Sequence, residues 1–279
     1  MSKIQNVFKV ISNEKLCPQF YLLRIDAKPI LKQIRPGQFV HLLIRGLSVP
    51  PPKVARRDLA HQNFQFWCGG ELFFRRPFSV YRAQKSLDIF YEPIGPGTTI
   101  MSQLKRGDLI DVLGPVGREF SLPPQGTKHV VMIGGGIGIA PFLILSDFLK
   151  TKGFESILLY GGRTKGHVYP MKEFKDNGVK VFVATDDGSH GVKGRVSELF
   201  SKIKTDSKTT FLYTCGPHMM MEAVQEFAKK HRLKGEAACE EVMACALGAC
   251  LGCSIKTTKG YRTVCYDGPV FDLSEVIFH

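Results

Sequence analysis

The chain lacks any long apolar run. Nowhere do its 279 residues approach the roughly 18 consecutive apolar residues of a bilayer-spanning helix, which excludes one. The opening residues, Met1 to Asn6, are polar and lead straight into a strand-like stretch. They have neither the apolar core nor the small-residue cleavage site of an export signal, so the expectation is a cytoplasmic protein with no membrane partner. Also missing are a basic tract with interleaved aromatics and any nucleic-acid module. Nucleic acid is therefore not an expected partner, although the net charge is +13. Phosphate-rich cofactors and an acidic partner surface account for such a balance as well. There is no internal repeat and no low-complexity tract. No acid–base dyad stands out, and no catalytic side chain is expected.

Hydrophobic residues make up 44% of the chain and charged residues 23%, which places it among ordinary globular proteins with sizeable cores. Its length suggests two domains, or two and a small appendage. Three segments differ in rhythm. Residues 1–122 read as short strands, at 7–11, 20–26, 38–44, 77–82, 87–93 and 108–113. They are broken by turns such as Arg35-Pro36-Gly37 and Arg106-Gly107-Asp108, a pattern that predicts a small antiparallel β-barrel. Residues 123–234 alternate strand and helix and predict a parallel sheet with covering helices. Strands are expected at 129–133, 157–160, 179–184 and 210–214, and helices at 141–150, 169–175, 196–203 and 218–232. Residues 235–279 are too few to build much of a core and read as a module held by a metal centre.

The cysteines are unevenly spread. Cys17, Cys68 and Cys215 are dispersed, whereas Cys239, Cys245, Cys250, Cys253 and Cys265 crowd the tail. In a reducing compartment such crowding points to metal or redox chemistry rather than disulfides. The spacing Cys245-x4-Cys250-x2-Cys253-x11-Cys265 is the plant-type [2Fe–2S] pattern. A loop that wraps a small cluster must bring backbone N–H groups up to its sulfurs. The small residues Ala244, Ala246, Gly248, Ala249 and Gly252 leave room for that approach. Structural zinc is the alternative, although zinc modules usually present two paired half-sites and here the fourth cysteine stands alone. Cys239 fits no ligand spacing and is expected to be a buried thiol.

Gly134-Gly135-Gly136-Ile137-Gly138 lies between a predicted strand and a predicted helix. Glycines admit a pyrophosphate to the backbone, and a helix N-terminus offers N–H donors. A plain strand–helix turn is the other reading of this run. Cys215-Gly216-Pro217 follows a later strand of the same segment, at the sheet edge where open α/β folds bind ligands. In the barrel segment, Arg75-Arg76-Pro77-Phe78-Ser79 opens a strand, with Gly95-Pro96-Gly97-Thr98 downstream. Arg76 suits a diphosphate, although an arginine beside a proline is more often just an exposed strand end.

Taken in order, Arg76-Pro77-Phe78-Ser79, Gly95-Pro96-Gly97-Thr98, Leu113-Gly114-Pro115-Val116-Gly117, the glycine run and Cys215-Gly216-Pro217 resemble the ferredoxin–NADP reductase superfamily. The tail cysteines with Asp267-Gly268-Pro269-Val270-Phe271, and Thr185-Asp186-Asp187-Gly188-Ser189, are similar to the electron-transfer subunits of NAD-dependent dihydroorotate dehydrogenases. That resemblance implies FAD on the barrel, held by Arg76, Pro77, Phe78, Ser79, Phe90, Tyr91, Glu92, Gly97 and Thr98. It implies NAD(H) at Gly134, Gly135, Gly136, Gly138, Cys215, Gly216 and Pro217. It also implies a [2Fe–2S] cluster on Cys245, Cys250, Cys253 and Cys265. The partner it implies is a catalytic, FMN-containing subunit in a hetero-oligomer of pyrimidine biosynthesis. That partner oxidises dihydroorotate, electrons cross the cluster singly, and FAD passes them in pairs to NAD⁺. Similar subunits serve ferredoxin or hydrogenase partners, and a colourless zinc-stabilised nucleotide-binding or sensor protein is an alternative of another class. Arg163 and Lys165, after the second strand of the sheet, leave NADP open beside NAD. Two departures from the family pattern stand out. The segment Gly46 to Phe74, with Pro50-Pro51-Pro52, is unusually long. Ala246 stands where glycine is frequent, which is costly if φ is positive there.

Overall fold

The computed structural model describes residues 4–44, 67–68, 71–72, 75–168 and 171–278. Strands with alternating apolar residues build the first half: β1 (Ile4–Lys15), β2 (Tyr21–Ile25) and, after the single-turn helix α1 (Lys28–Leu31), β3 (Phe39–Ile44). The two-residue strands β4 (Trp67–Cys68) and β5 (Glu71–Leu72) pair only with each other. The rest of the long segment between Gly46 and Phe74 lies outside the described residues. Next come β6 (Arg76–Ser79), β7 (Arg82–Ala83), β8 (Leu87–Tyr91), the helix α2 (Pro96–Met101) and β9 (Leu109–Val116).

The order β6-β3-β9-β1-β2-β8-β7 is antiparallel throughout. The expected single strand over 77–82 is in fact two. The chain bends at Val80 and Tyr81, so that β6 lies on β3 and β7 lies on β8. Val80 N–H donates to the Gln38 carbonyl (3.3 Å) and Tyr81 N–H to that of Asp88 (2.9 Å). One run of chain thus reaches from β3 to β8 and draws the two ends of the sheet toward each other. Val10, Leu23, Val40, Ile89 and Ile110 fill the interior.

The second half follows: β10 (His129–Gly135), α3 (Ala140–Thr151), β11 (Ser156–Gly162), α4 (Lys172–Asp176), β12 (Lys180–Thr185), the short β13 (Val192–Lys193), β14 (Thr210–Cys215), α5 (His218–His231) and β15 (Lys234–Ala238). These strands form a parallel sheet in the order β13-β12-β11-β10-β14-β15. Two expected helices are shorter or tighter than the sequence suggests. The helix expected over 169–175 is α-helical over Lys172–Asp176, and Tyr169 and Pro170 lie outside the described residues. Residues Val196–Lys202 form a 3₁₀ helix, because two anchors, Val196 and Leu199, suffice to pin so short a span to the sheet. β15 spans the point between residues 234 and 235 at which the sequence changes character. The tail adds the hairpin β16 (Ser254–Thr257) and β17 (Gly260–Thr263), then β18 (Val270–Asp272), which pairs antiparallel with β15 as the last strand of the nucleotide-side sheet.

Barrel and sheet meet across apolar and polar contacts. Phe20, Tyr81 and Phe90 of the barrel share a core with Phe142, Leu145 and Phe174 of the sheet's helices. Beside it the Tyr81 hydroxyl donates to Glu173 (2.6 Å), and Arg82 and the Gln84 amide donate to Asp147 (3.3 and 3.1 Å). Partly exposed ion pairs contribute up to about 1 kcal/mol each. Burying each aromatic ring contributes about 1.5–3 kcal/mol. The rings therefore hold the halves together and the polar groups set their register.

His41, on β3, is fully buried, and neither ring nitrogen has a hydrogen-bond partner among the described residues. Burial, then the charges of Arg75 and Arg76, lower its pKa to about 4. The native imidazole stays neutral while the unfolded one takes a proton below pH 6.5. Stability from this group is complete above pH 6.5 and is lost as pH falls toward 4. We predict that between pH 7 and 5 the wild type loses about 2 kcal/mol more than His41→Leu, measured by denaturant unfolding at both pH values.

Candidate functional site

The strand order reverses between β10 and β14, and the carboxyl ends of these strands carry the two motifs the sequence singles out. Gly134 lies opposite Cys215 in the ladder. After β10 the chain turns through a 3₁₀ segment, Gly136–Ile139, into α3, with Gly136 at φ +54°. A Cβ on Gly138 would lie 2.3 Å from the Cys215 carbonyl oxygen, and one on Gly135 would lie 2.8 Å from Met220 Sδ. Glycine is required here so that the two loops can nest. The nest opens into a cleft of about 680 Å³ between sheet and barrel. Phe20 and Glu92 line its barrel side, and Gly136, Gly138, Gly216 and Pro217 its sheet side. This size suits a cofactor pocket. The Cys215 thiol is buried, and burial, then Glu240 and Cys239, push its pKa up, so it is a neutral group beside the cleft.

On the barrel, Arg76 and Phe78 are half-buried at the edge of β6. A Cβ on Gly97 would stand 2.1 Å from Arg76 Nε, so glycine at the start of α2 gives the guanidinium its seat. Burial pulls the Arg76 pKa down from its ordinary value. Thr98 folds its hydroxyl back to accept from the N–H groups of Ile94 and Gly95 (3.0 and 3.1 Å), which shapes this helix start. Arg76 of β6 and Gly97 of α2 are thereby brought together, with Pro77, Phe78, Ser79 and Thr98 beside them in the chain. Phe90 and Tyr91 are placed differently. Phe90 stacks on Phe20 (4.8 Å) and Tyr81 (5.3 Å), and Tyr91 is buried in the barrel with its hydroxyl on Asn13 (3.0 Å). Their side chains are occupied by packing, and Glu92, the next residue, is the one that reaches the cleft.

The tail brings its four cysteines together. Cys253 and Cys265 are buried, Cys245 is half-buried and Cys250 is exposed. Leu247 N–H donates to Cys245 Sγ (3.3 Å), Gly248 N–H to Cys265 Sγ (3.2 Å) and Cys265 N–H to Cys253 Sγ (3.4 Å). Against the cost of burial, the Leu247 and Cys250 N–H groups bring the Cys245 pKa down to about 6. Cys245 lies beside Cys250, and Cys265 lies near both Cys253 and Cys245. Four thiols, three of them with backbone N–H groups turned onto their sulfurs, are a donor set that fits a [2Fe–2S] cluster. Cys239 is buried, and its thiol is pushed up to about 12 by burial, which agrees with the reading of a packed thiol.

Ala246 has φ +55°, so the alanine does sit in the left-handed region. Its methyl is fully buried in the core that holds Cys253 and Cys265. Burying a methyl contributes about 0.8 kcal/mol, which offsets part of the ~1–2 kcal/mol left-handed penalty. Sequence reasoning did not single out Arg195, His218 or Glu240, which also line the cleft. Arg195 follows the end of β13 and was within reach of the rule for carboxyl edges. Glu240 carries no local signal. We predict that Gly138→Ala forces the two loops apart and weakens NADH binding at least tenfold without loss of bound FAD, measured by equilibrium titration and flavin absorbance.

Comparison with known proteins agrees with this geometry. Residues 240–277 match the iron–sulfur cluster binding domain of dihydroorotate dehydrogenase B, and residues 132–226 match an oxidoreductase NAD-binding domain. The dihydroorotate dehydrogenase B (NAD(+)) electron transfer subunit of Desulforamulus reducens is 33% identical over 285 residues, covering 100% of both chains. That of Streptococcus pneumoniae serotype 4 is 33% identical over 276 residues, covering 96% of this chain and 99% of its own. The fold is similar to a solved NADH-dependent reduced ferredoxin-NADP oxidoreductase chain, with TM-score 0.80, 24% identity, and 98% and 90% of the two chains covered. It is also similar to the cytochrome b5 reductase domain of Ulva prolifera nitrate reductase, with TM-score 0.63, 17% identity, and 82% and 94% covered. The barrel, the nucleotide-side sheet, the cysteine module and full-length identity all converge, and the chain belongs to the family of dihydroorotate dehydrogenase B (NAD(+)) electron transfer subunits.

Proposed function

We propose that this protein carries electrons between a dihydroorotate-oxidising flavoprotein subunit and NAD(H), through a [2Fe–2S] cluster and FAD. The observation that carries this reading is the packing of Cys253 and Cys265 into one apolar core with Phe39 and Val116 of the barrel and Leu212 and Ala237 of the sheet. Thiols, flavin rim and nucleotide cleft are thereby held in fixed relation. Labour divides along the chain: 1–122 for FAD, 123–234 for NAD and 235–279 for the cluster. FAD, when bound, exchanges single electrons with the cluster and pairs with the nicotinamide.

The residues prepare each site. Arg76, over Gly97, meets the FAD diphosphate. Pro77, Phe78 and Ser79 border its ring system, and Phe90, Tyr91 and Glu92 back it. Gly134, Gly135, Gly136 and Gly138, with Cys215, Gly216 and Pro217, admit the nicotinamide nucleotide to the backbone. Cys245, Cys250, Cys253 and Cys265 would hold the [2Fe–2S] cluster through their thiolates. Asp186 lines the cleft, and its carboxylate has no hydrogen-bond or ion-pair partner among the described residues, so it is open to the adenosine ribose diol. The partner docks over the cluster loop, where Val242, Leu247, Leu251 and Tyr266 are exposed around Cys250. We place the protein in the cytoplasm, where such thiols stay reduced. Among the described residues no helix is long and apolar enough to cross a membrane.

Two measurements test this. The anaerobic absorbance spectrum is expected to show flavin bands and a broad [2Fe–2S] shoulder that both bleach on adding NADH. In Cys253→Ser the shoulder should be lost while the flavin still bleaches. A colourless protein with stoichiometric zinc would overturn the proposal. NADH is expected to reduce the flavin at least tenfold more efficiently than NADPH, and Asp186→Ala to narrow that ratio. An unchanged ratio would remove Asp186 from the ribose site.

A further inference from the structure

At the end of the parallel sheet opposite the redox cleft, four of the five long parallel strands are entered through a lysine. Lys128 precedes β10, Lys180 opens β12, Lys208 stands just before β14 and Lys234 opens β15. All four are exposed. Lysines in the last turns of helices answer the helix dipole. Strands have little dipole to answer, so these four need another reason. The nearby carboxylates are mostly occupied. Asp176 pairs with Lys172 (2.8 Å), and Asp206 accepts from Lys208 N–H and the Thr209 hydroxyl (2.9 and 2.8 Å).

Within this basic edge lies a notch. The 3₁₀ helix Val196–Lys202 covers only the upper part of its sheet face. Below it a cavity of about 400 Å³ opens onto β10, β11 and β12. The floor is apolar, formed by Ile157 and Phe182, which are half-buried. The rim is cationic or titratable: His129, Lys180, Lys202 and Lys204. No carboxylate lines it among the described residues. The ammonium groups of Lys180 and Lys202 rest over the Phe182 ring, 5.2 and 5.9 Å from its centroid. They shield an exposed aromatic face for lack of anything better to pair with.

We propose that this notch binds a small planar organic anion, its ring on Phe182 and its charge between the rim lysines. The chemistry selects the class. A bare inorganic anion leaves the apolar floor in water, and a neutral ring leaves the cations unpaired. A single charged ring system answers both, and the volume is within the usual range for small-ligand pockets. The surrounding positive field concentrates such anions at this edge. The six-residue strand β12, about 20 Å long, separates the notch from the cleft, so its ligand does not compete with the nucleotide.

The test is calorimetric titration of the FAD- and cluster-loaded protein, saturated with NAD⁺, with naphthalene-1-sulfonate. One saturable site is expected, displaced by benzoate but not by equal inorganic phosphate. The double variant Lys180→Glu/Lys202→Glu, whose side chains are both exposed, should bind at least tenfold more weakly and reduce its flavin with NADH at the wild-type rate. Phe182→Ala should weaken binding as well. No saturable heat in the wild type, or undiminished affinity in the double variant, would overturn the site. Displacement by phosphate as effective as by benzoate would also overturn it, showing an edge that reads charge alone.

Discussion

The structure depends on the place where the tail is stitched into both larger parts. β18 adds itself to the nucleotide-side sheet through β15, and the residues just before it press on the barrel. Arg118 N–H donates to the Gly268 carbonyl (2.6 Å), and Gly117 fits against Pro269 so closely that a Cβ would stand 2.4 Å from its ring. From the far side of the sheet, the Gln225 amide on α5 donates to the Leu273 and Val276 carbonyls. A 45-residue tail has too little surface to bury a core of its own. It borrows one, and so its cysteines are fixed to both larger parts. A subunit that passes electrons between a cluster, FAD and a nicotinamide needs those sites at fixed separations.

The same economy shows at each site. Positive potential is delivered largely by backbone N–H groups. The glycine run nests against Cys215-Gly216-Pro217, and the cluster loop turns Leu247, Gly248 and Cys265 N–H groups onto sulfur. Backbone donors add no net charge and no long side chain to order. The cost is conformational, in positive φ at Gly136, Gly216, Ala246, Gly248 and Leu251. At Ala246 and Leu251 the chain accepts that cost without glycine. Ala246 is partly compensated by burial, whereas Leu251 is exposed beside Cys250, on the face assigned to the partner.

Charge is distributed unevenly between the two ends of the parallel sheet. The carboxyl end combines Arg163 and Arg195 with Asp186 and Glu240 around one cleft. The amino end has cations at four of its strand entries and few free carboxylates. The net charge of +13 is therefore not spread as a uniform coat. Part of it forms a local field far from the redox centres.

Much of the molecule was legible before folding. The cysteine spacing marked residues 240–277 as an iron–sulfur module, because a small cluster demands short loops and few arrangements satisfy it. The glycine run and Cys215-Gly216-Pro217 were legible because close backbone approach excludes side chains. Strand and helix alternation showed the class of each half, although the bend at Val80 and Tyr81 and the tightness of the 196–202 helix escaped it, since both answer to packing partners distant in sequence. The Tyr91 side chain is anchored inside the barrel by Asn13, a contact 78 residues away that no local pattern signals. Glu240 enters the cleft, and Cys253 joins the core of Phe39, only once β15 and β18 pair. By itself, then, the sequence determined which groups are present and which local loops they form, since local sterics and ligand spacing act over a few residues. The tertiary structure alone decided which of those loops face one another, because that depends on cores assembled from segments far apart in the chain.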